Sequence, residues 1–397
     1  MLASCRANKL PTHHNFPSPV DTQDKPILLQ EKKLYQIDGI QLSNQFDGAR
    51  ANDFTKVNDS TYRVTILPEN EPINESPHYA FWISANKKTT IDLELYTENY
   101  KHRYWPKLSQ AGSAYQPIDS IAFDTLKAGN IATLKLNLDQ EPLYIAAQEL
   151  RPSSYTKSWI AVLQKKHTHI KAATVGKSKL GRDIDYMDLG EGPPEGKPTI
   201  LIFSRTHPPE ISGYMAMERF VEEILSDHPL AKAFRQKYRI LAYPLINPDG
   251  VDLGHWRHNA GGIDLNRDWG KFRQEEPHVV ASHVLKEIKA HKNEVLLGID
   301  FHSTQEDVIY THTANRVSKI FPFKDLWLKA LIDAGYQPNE EAYDLSSPMT
   351  KGWFYLEFDA EAIIYEVGDE TDRDYLKEKA AFAAREMMKL LVLRPKS

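Results

Sequence analysis

The pattern of the chain changes once, at Arg151-Pro152-Ser153-Ser154. Before it, from about Leu28 to Glu149, short runs of β-branched and aromatic residues are separated by Asn, Asp, Gly and Pro; Tyr62 to Leu67, Tyr79 to Ile83, Thr90 to Leu95 and Ala132 to Leu136 are examples. Such runs suit half-buried strands, whose successive side chains leave opposite faces. No long helical pattern interrupts them, so residues 26–151 are expected to form an all-β sandwich. After the change, apolar runs alternate with amphipathic helices, which predicts an α/β domain with a mainly parallel or mixed sheet over residues 152–397. The expected strands are Thr199 to Phe203, Arg239 to Tyr243, Val295 to Ile299 and Ala362 to Tyr365. The expected helices are Gly213 to Ser226, Val279 to His291, Phe323 to Ala334 and Asp374 to Leu391. Residues 1–25, rich in Pro, Asn, Asp, Thr and His and without periodicity, read as a flexible tail.

Composition narrows the function. A net charge of −5, with Lys and Arg scattered among acids, offers no basic field for phosphates, so nucleic acid is not an expected partner. No apolar run approaches the roughly 18 residues of a transmembrane span. The one cysteine, Cys5, excludes an internal disulfide framework and any thiolate-rich zinc site, leaving His, Asp and Glu to hold a metal. Cys5 closes Leu2-Ala3-Ser4-Cys5, which resembles the lipobox of bacterial lipoproteins. That resemblance implies a lipid anchor at Cys5 and a periplasmic or membrane-anchored location, although only Met1 precedes the motif; without an anchor the expectation is cytoplasmic.

Chemistry concentrates at strand ends. The run Ile200 to Phe203 leads into Ser204-Arg205-Thr206-His207-Pro208-Pro209-Glu210, placing His207 and Glu210 three residues apart just past a strand's C-terminal end, where open sheets bind ligands. An imidazole and a carboxylate suit zinc, and a catalytic zinc takes three protein ligands. By itself H-x-x-E says little, since His291-Lys292-Asn293-Glu294 repeats it near a helix end among lysines, where it reads as a solvated face. The third ligand is expected from another strand end, and His302 follows Val295 to Ile299 there. Ala362 to Tyr365 likewise delivers Glu366, a carboxylate whose burial without a partner would be costly.

Between these segments lie Asn247-Pro248-Asp249-Gly250, the Arg257 segment and Asp264-Leu265-Asn266-Arg267-Asp268-Trp269, followed later by Asp300-Phe301-His302 and Tyr365-Glu366-Val367-Gly368-Asp369-Glu370-Thr371. Together with H-x-x-E, in this order, they resemble the zinc carboxypeptidase family of carboxypeptidases A and B and the cytosolic tubulin-processing carboxypeptidases, over about residues 155 to 397. The strand-rich first half resembles, more faintly, the β-sandwich of the cytosolic type. The resemblance implies one Zn²⁺ held by His207, Glu210 and His302, with Asp264 orienting the first histidine. It implies that Arg257 stabilises the oxyanion, that Asn266 and Arg267 grip the substrate's terminal carboxylate, and that Glu366 is the general base. Pro208-Pro209 departs from the commonest form of the zinc motif and stiffens it.

The family also places a tyrosine over the substrate; Tyr343 matches if one extra residue is allowed, with Tyr355 as the alternative. The same alignment puts Lys351 at the pocket for the C-terminal side chain, which implies preference for an acidic residue. The expected partner is therefore a peptide, or an acyl amino acid, with a free carboxylate. Two readings compete with a metallocarboxypeptidase. One is an amidase or deacylase of the succinylglutamate desuccinylase or cell-wall peptide type; the other is a binding module with a vestigial metal site. No G-x-S-x-G elbow or phosphate-binding glycine loop is present, and Gly190-Glu191-Gly192 lacks the third glycine of a dinucleotide site.

Overall fold

A computed structural model describes residues 11–16, 21–119, 123–124, 129–313, 315–336 and 338–394. Cys5 lies outside the described residues. The first half forms two sheets. One orders its strands Leu34–Ile37, Ile40–Ser43, Ala80–Ala85, Leu143–Ala146, Lys107–Ser109 and Gln116–Pro117. The other runs Asp53–Lys56, Thr61–Thr65, Thr89–Tyr96, Ile131–Leu138 and Phe123–Asp124. Pairing is antiparallel except between Thr61–Thr65 and Thr89–Tyr96. Alternation in sequence becomes alternation in burial: Ile91, Leu93 and Leu95 point inward from one strand, and Leu134, Leu136 and Leu138 from its neighbour. They share one core with Phe81, Ile83 and Ile145 of the facing sheet. Truncating a side chain such as Leu93 to alanine there costs about 2–5 kcal/mol.

The last strand of this sandwich ends at Ala146 and the first helix, Ser153–Lys166, begins just after the change of pattern. The second half is a mixed eight-stranded sheet ordered Lys171–Lys177, Asp183–Asp188, Arg239–Tyr243, Pro198–Ser204, Glu294–Thr304, Glu361–Gly368, Val308–Thr311 and Asn339–Ala342. Its four central strands are parallel. They are the four apolar runs expected from the sequence, and they are continuously apolar because both faces are covered. Helices Ile211–Ile224, Phe323–Asp333 and Arg373–Leu393 pack on one face over Ile200, Ile202 and Ile299. Glu275–His291 and Thr350–Phe358 cover the other, over Leu201, Phe203 and Leu241. The edge strands and the short helices Pro229–Lys237, Pro248–Leu253 and Thr350–Phe358 are additions to the sequence reading.

Two features of this frame reach the site. Gly213 lets the start of helix Ile211–Ile224 press onto the strand at His302: a Cβ there would lie 2.1 Å from the His302 carbonyl oxygen. The sandwich is also keyed into the α/β half, because Trp256 is buried in the sandwich core, edge-on to Tyr100 at 5.1 Å. Parts of the N-terminal 25 residues lie along the α/β half as well. His14 N–H donates to the Gly270 carbonyl at 3.0 Å, and Asp21 pairs with Arg273 at 2.6 Å.

Candidate active site

His207 and Glu210 leave the C-terminal end of strand Pro198–Ser204, and His302 sits near the end of the adjacent strand Glu294–Thr304. Their ligand atoms lie within 4.8 Å of one another. Glu210 Oε1 is 2.8 Å from His207 Nδ1, its Oε2 is 2.7 Å from His302 Nδ1, and the two Nδ1 atoms are 3.2 Å apart. Each ring turns its other nitrogen to a carboxylate: His207 Nε2 to Asp264 at 3.0 Å and His302 Nε2 to Asp300 at 2.7 Å. A hydrogen bond to carboxylate at Nε2 fixes the tautomer that leaves the Nδ1 lone pair free to bind a metal.

The electrostatics ask for a cation at the point where these atoms meet. Burial opposes charge on Glu210, but His207 and His302 hold its carboxyl well below the usual range. Burial likewise opposes protonation of His302, but Asp300 and Glu210 raise its pKa well above the ordinary value. Three carboxylates around two imidazoles, with two nitrogens and an oxygen converging, fit a zinc ion with a position left open.

Glu366 stands opposite His302 in the parallel ladder. The residue is half-buried, but its Oε2 is shielded and has no hydrogen-bond partner among the described residues, and desolvation, with Glu210 nearby, pushes its pKa up to about 8 against the pull of His302. Arg257 donates from Nε to Asp264 Oδ2 at 2.7 Å, so one carboxylate serves both His207 and Arg257. Asn266 accepts from the Thr350 N–H at 3.0 Å, and Arg267 donates to the Asn266 carbonyl at 2.8 Å. A cavity of about 370 Å³ brings together His207, Glu210, Arg257, Asn266, Arg267 and Glu366.

Tyr343 lines this cavity too, with its hydroxyl directed to Met349 Sδ at 3.7 Å. Tyr355 does not line it and packs instead against His312. Lys351 is placed differently from expectation. It is not part of the lining; its Nζ donates to the carbonyls of Thr311 and Tyr343 at 2.7 and 3.0 Å and lies 3.5 Å from the centre of the Tyr343 ring. Two carbonyls and an aromatic face satisfy the ammonium beneath the tyrosine, while burial lowers its pKa to about 7. The second H-x-x-E stays apart: His291 pairs with Glu195 and Glu287, and Glu294 with Lys319.

Several contributors escaped the sequence reading. Asp300 had a legible signal, since two residues along a strand from His302 is the same face. Glu69 and Arg103 had none, because both come from the sandwich. Glu69 accepts from the N–H groups of Trp256, Arg257 and His258 at 2.8, 2.9 and 2.6 Å. Arg103 lines the cavity, pairs with Asp369 at 2.6 Å and donates to the Ser303 carbonyl at 3.0 Å.

A zinc carboxypeptidase model, peptidase M14, matches residues 156–384, more than half of the chain. The chain belongs to the zinc carboxypeptidase family. This carboxypeptidase chain is 25% identical to human (Homo sapiens) cytosolic carboxypeptidase 2 over 274 residues, 65% of the chain and 29% of that relative. It is 30% identical to cytosolic carboxypeptidase 6 of Mus musculus over 162 residues, 38% of the chain and 30% of the relative. It thus spans under a third of the length of these curated relatives. Solved structures share the fold across both halves. A metallo-carboxypeptidase from Burkholderia cenocepacia aligns with TM-score 0.73 and 17% identity, over 89% of this chain and 98% of that one. One from Pseudomonas aeruginosa aligns with TM-score 0.71 and 18% identity, over 89% and 100%. The catalytic half is therefore a zinc-dependent peptidase domain of the hydrolase class, and its metal is zinc.

Proposed function

We propose that the chain removes the C-terminal residue of a peptide, with the roles of the site residues as follows. His207, Glu210 and His302 hold the zinc, which when bound polarises the scissile carbonyl and makes water acidic enough to be deprotonated. Glu366 takes the proton of the attacking water and passes it to the leaving amine. The shielded Oε2 supports that role, since a carboxylate oxygen out of solvent and without a fixed hydrogen-bond partner among the described residues is free to shuttle a proton. Arg257, held by Asp264, meets the negative charge developing on the carbonyl oxygen. Asn266 and Arg267 receive the terminal carboxylate, and Tyr343 closes over it.

The observation that carries the exopeptidase reading is Arg267. It lines the same cavity as Glu366, forms no ion pair among the described residues, and offers a planar fork suited to a carboxylate. A finer proposal is preference for an acidic C-terminal residue. Arg103, Arg257 and Arg267 give the cavity a cationic wall, and Lys351 lies beneath Tyr343, reachable once that ring moves aside.

The deciding comparison pairs peptides with free and amidated C-termini, and adds an N-acyl amino acid. Release of a C-terminal amino acid from the free peptide alone is expected. Equal cleavage of the amidated peptide would overturn the proposal, and faster turnover of the acyl amino acid would favour the amidase or deacylase reading instead.

A further inference from the structure

Behind the zinc loop, where the sandwich meets it, lies a second and much smaller cavity, in which the centre of a water-sized sphere can range over about 10 Å³. Gly48, His78 and Glu149 of the sandwich, Arg151 at the junction, and Arg205 and Pro208 of the loop are among the residues that line it. Arg205 is buried, and among the described residues only its Nη2 is engaged, donating to the Pro208 carbonyl at 2.8 Å. Its Nε and Nη1 have no acceptor among those residues. The Tyr214 ring covers the guanidinium at 5.1 Å, an arrangement that leaves those two donors to seek partners elsewhere. The Arg205 backbone lies in the left-handed region, at φ 54°, which a non-glycine residue adopts only when the surroundings impose it.

The nearby acids are committed elsewhere. Glu149 is bound by Arg373 at 2.8 Å, Glu218 by Arg151, and Asp252 by Arg182 at 2.8 Å and by Ser153. Arg205 itself forms no ion pair among the described residues. A guanidinium does not surrender its proton, so its charge stays buried without a counter-ion, a costly arrangement. Water would satisfy the free donors but leave the charge.

We propose that this cavity binds one small monovalent anion of chloride size, held by Arg205 Nε and Nη1. Because Arg205 also holds the carbonyl of Pro208, between His207 and Glu210, the ion would brace the loop that carries two of the zinc ligands. The inference stands whichever bond the zinc site cuts.

Crystals of the full chain grown in sodium bromide test it directly. An anomalous bromine peak within hydrogen-bond distance of Arg205 Nε and Nη1 is expected, and a water there without a bromine signal would overturn the proposal. In solution, replacing isethionate by chloride at fixed ionic strength should raise Tm by about 2 °C or more. Arg205→Met should abolish that rise; no rise in the native chain, or the same rise in the variant, counts against the site. If the variant does not fold, the bromine map of the native chain decides.

Discussion

Glu366 and His302 are register partners in the parallel ladder between strands Glu361–Gly368 and Glu294–Thr304. The proposed base and one zinc ligand are therefore fixed by the same backbone hydrogen bonds, with no loop between them. Glu366→Gln keeps shape and removes the proton acceptor. It should retain one zinc per chain by elemental analysis while kcat falls by about 10²–10⁴-fold. Zinc retained with undiminished turnover would remove Glu366 from the mechanism.

Asp264 and Asp300 each hold the Nε2 of one zinc-site histidine. Asp264→Asn and Asp300→Asn should each weaken zinc binding about 10–100-fold in a chelator competition. The two should differ in turnover at saturating zinc. Asp264 also anchors Arg257, so its loss should lower kcat further, whereas Asp300, which accepts from the Thr350 hydroxyl at 2.6 Å, touches no proposed oxyanion partner.

How much of this was legible in sequence depended on where each contact closes. Strands Pro198–Ser204 and Glu361–Gly368 announce themselves because double-sided burial demands unbroken apolar runs, and the residues just past them inherit the sheet edge. The edge strand Asn339–Ala342 is exposed along its length, so its sequence, Asn-Glu-Glu-Ala, carries no hydrophobic signal. The direction of the Lys351 ammonium was set by the carbonyls of Thr311 and Tyr343, which only the folded chain brings near. Arg103 and Glu69 lie about 200 and 190 residues from their partners Ser303 and Arg257, and no local pattern encodes such a meeting.

Glu69 joins the sandwich to the proposed oxyanion arginine. Burial opposes its charge, but His255, His258 and Arg50, with the backbone N–H of His258, bring its pKa down to about 2. A carboxyl depressed on folding adds stability that is present above its unfolded value and lost as pH falls towards the folded one. The contribution, roughly 3 kcal/mol, should thus disappear between about pH 4.5 and pH 2. Glu69→Gln should flatten that part of the acid-unfolding curve and lower stability at pH 7, read by urea melts. Because the Arg257 backbone loses its anchor, kcat should also fall while zinc content holds.

Lys351 gives the opposite experiment. Burial lowers its pKa to about 7, and no carboxylate forms an ion pair with it among the described residues. A base depressed on folding has its most favourable contribution above its unfolded pKa, about 10.4, and that contribution is lost as pH falls through the window down to about 7. Lys351→Met removes the buried charge, so the variant should be as stable as the native chain or more so at pH 7, and its Tm should vary less between pH 7 and pH 10. The same variant tests the acidic preference. If the ammonium meets the substrate once Tyr343 moves, the kcat/KM ratio for a peptide ending in Glu over one ending in Leu should fall at least tenfold, with zinc content unchanged. A ratio that stays put while the stability change appears would leave Lys351 a packing residue beneath Tyr343 and pass the preference to Arg103, Arg257 and Arg267 of the cavity wall.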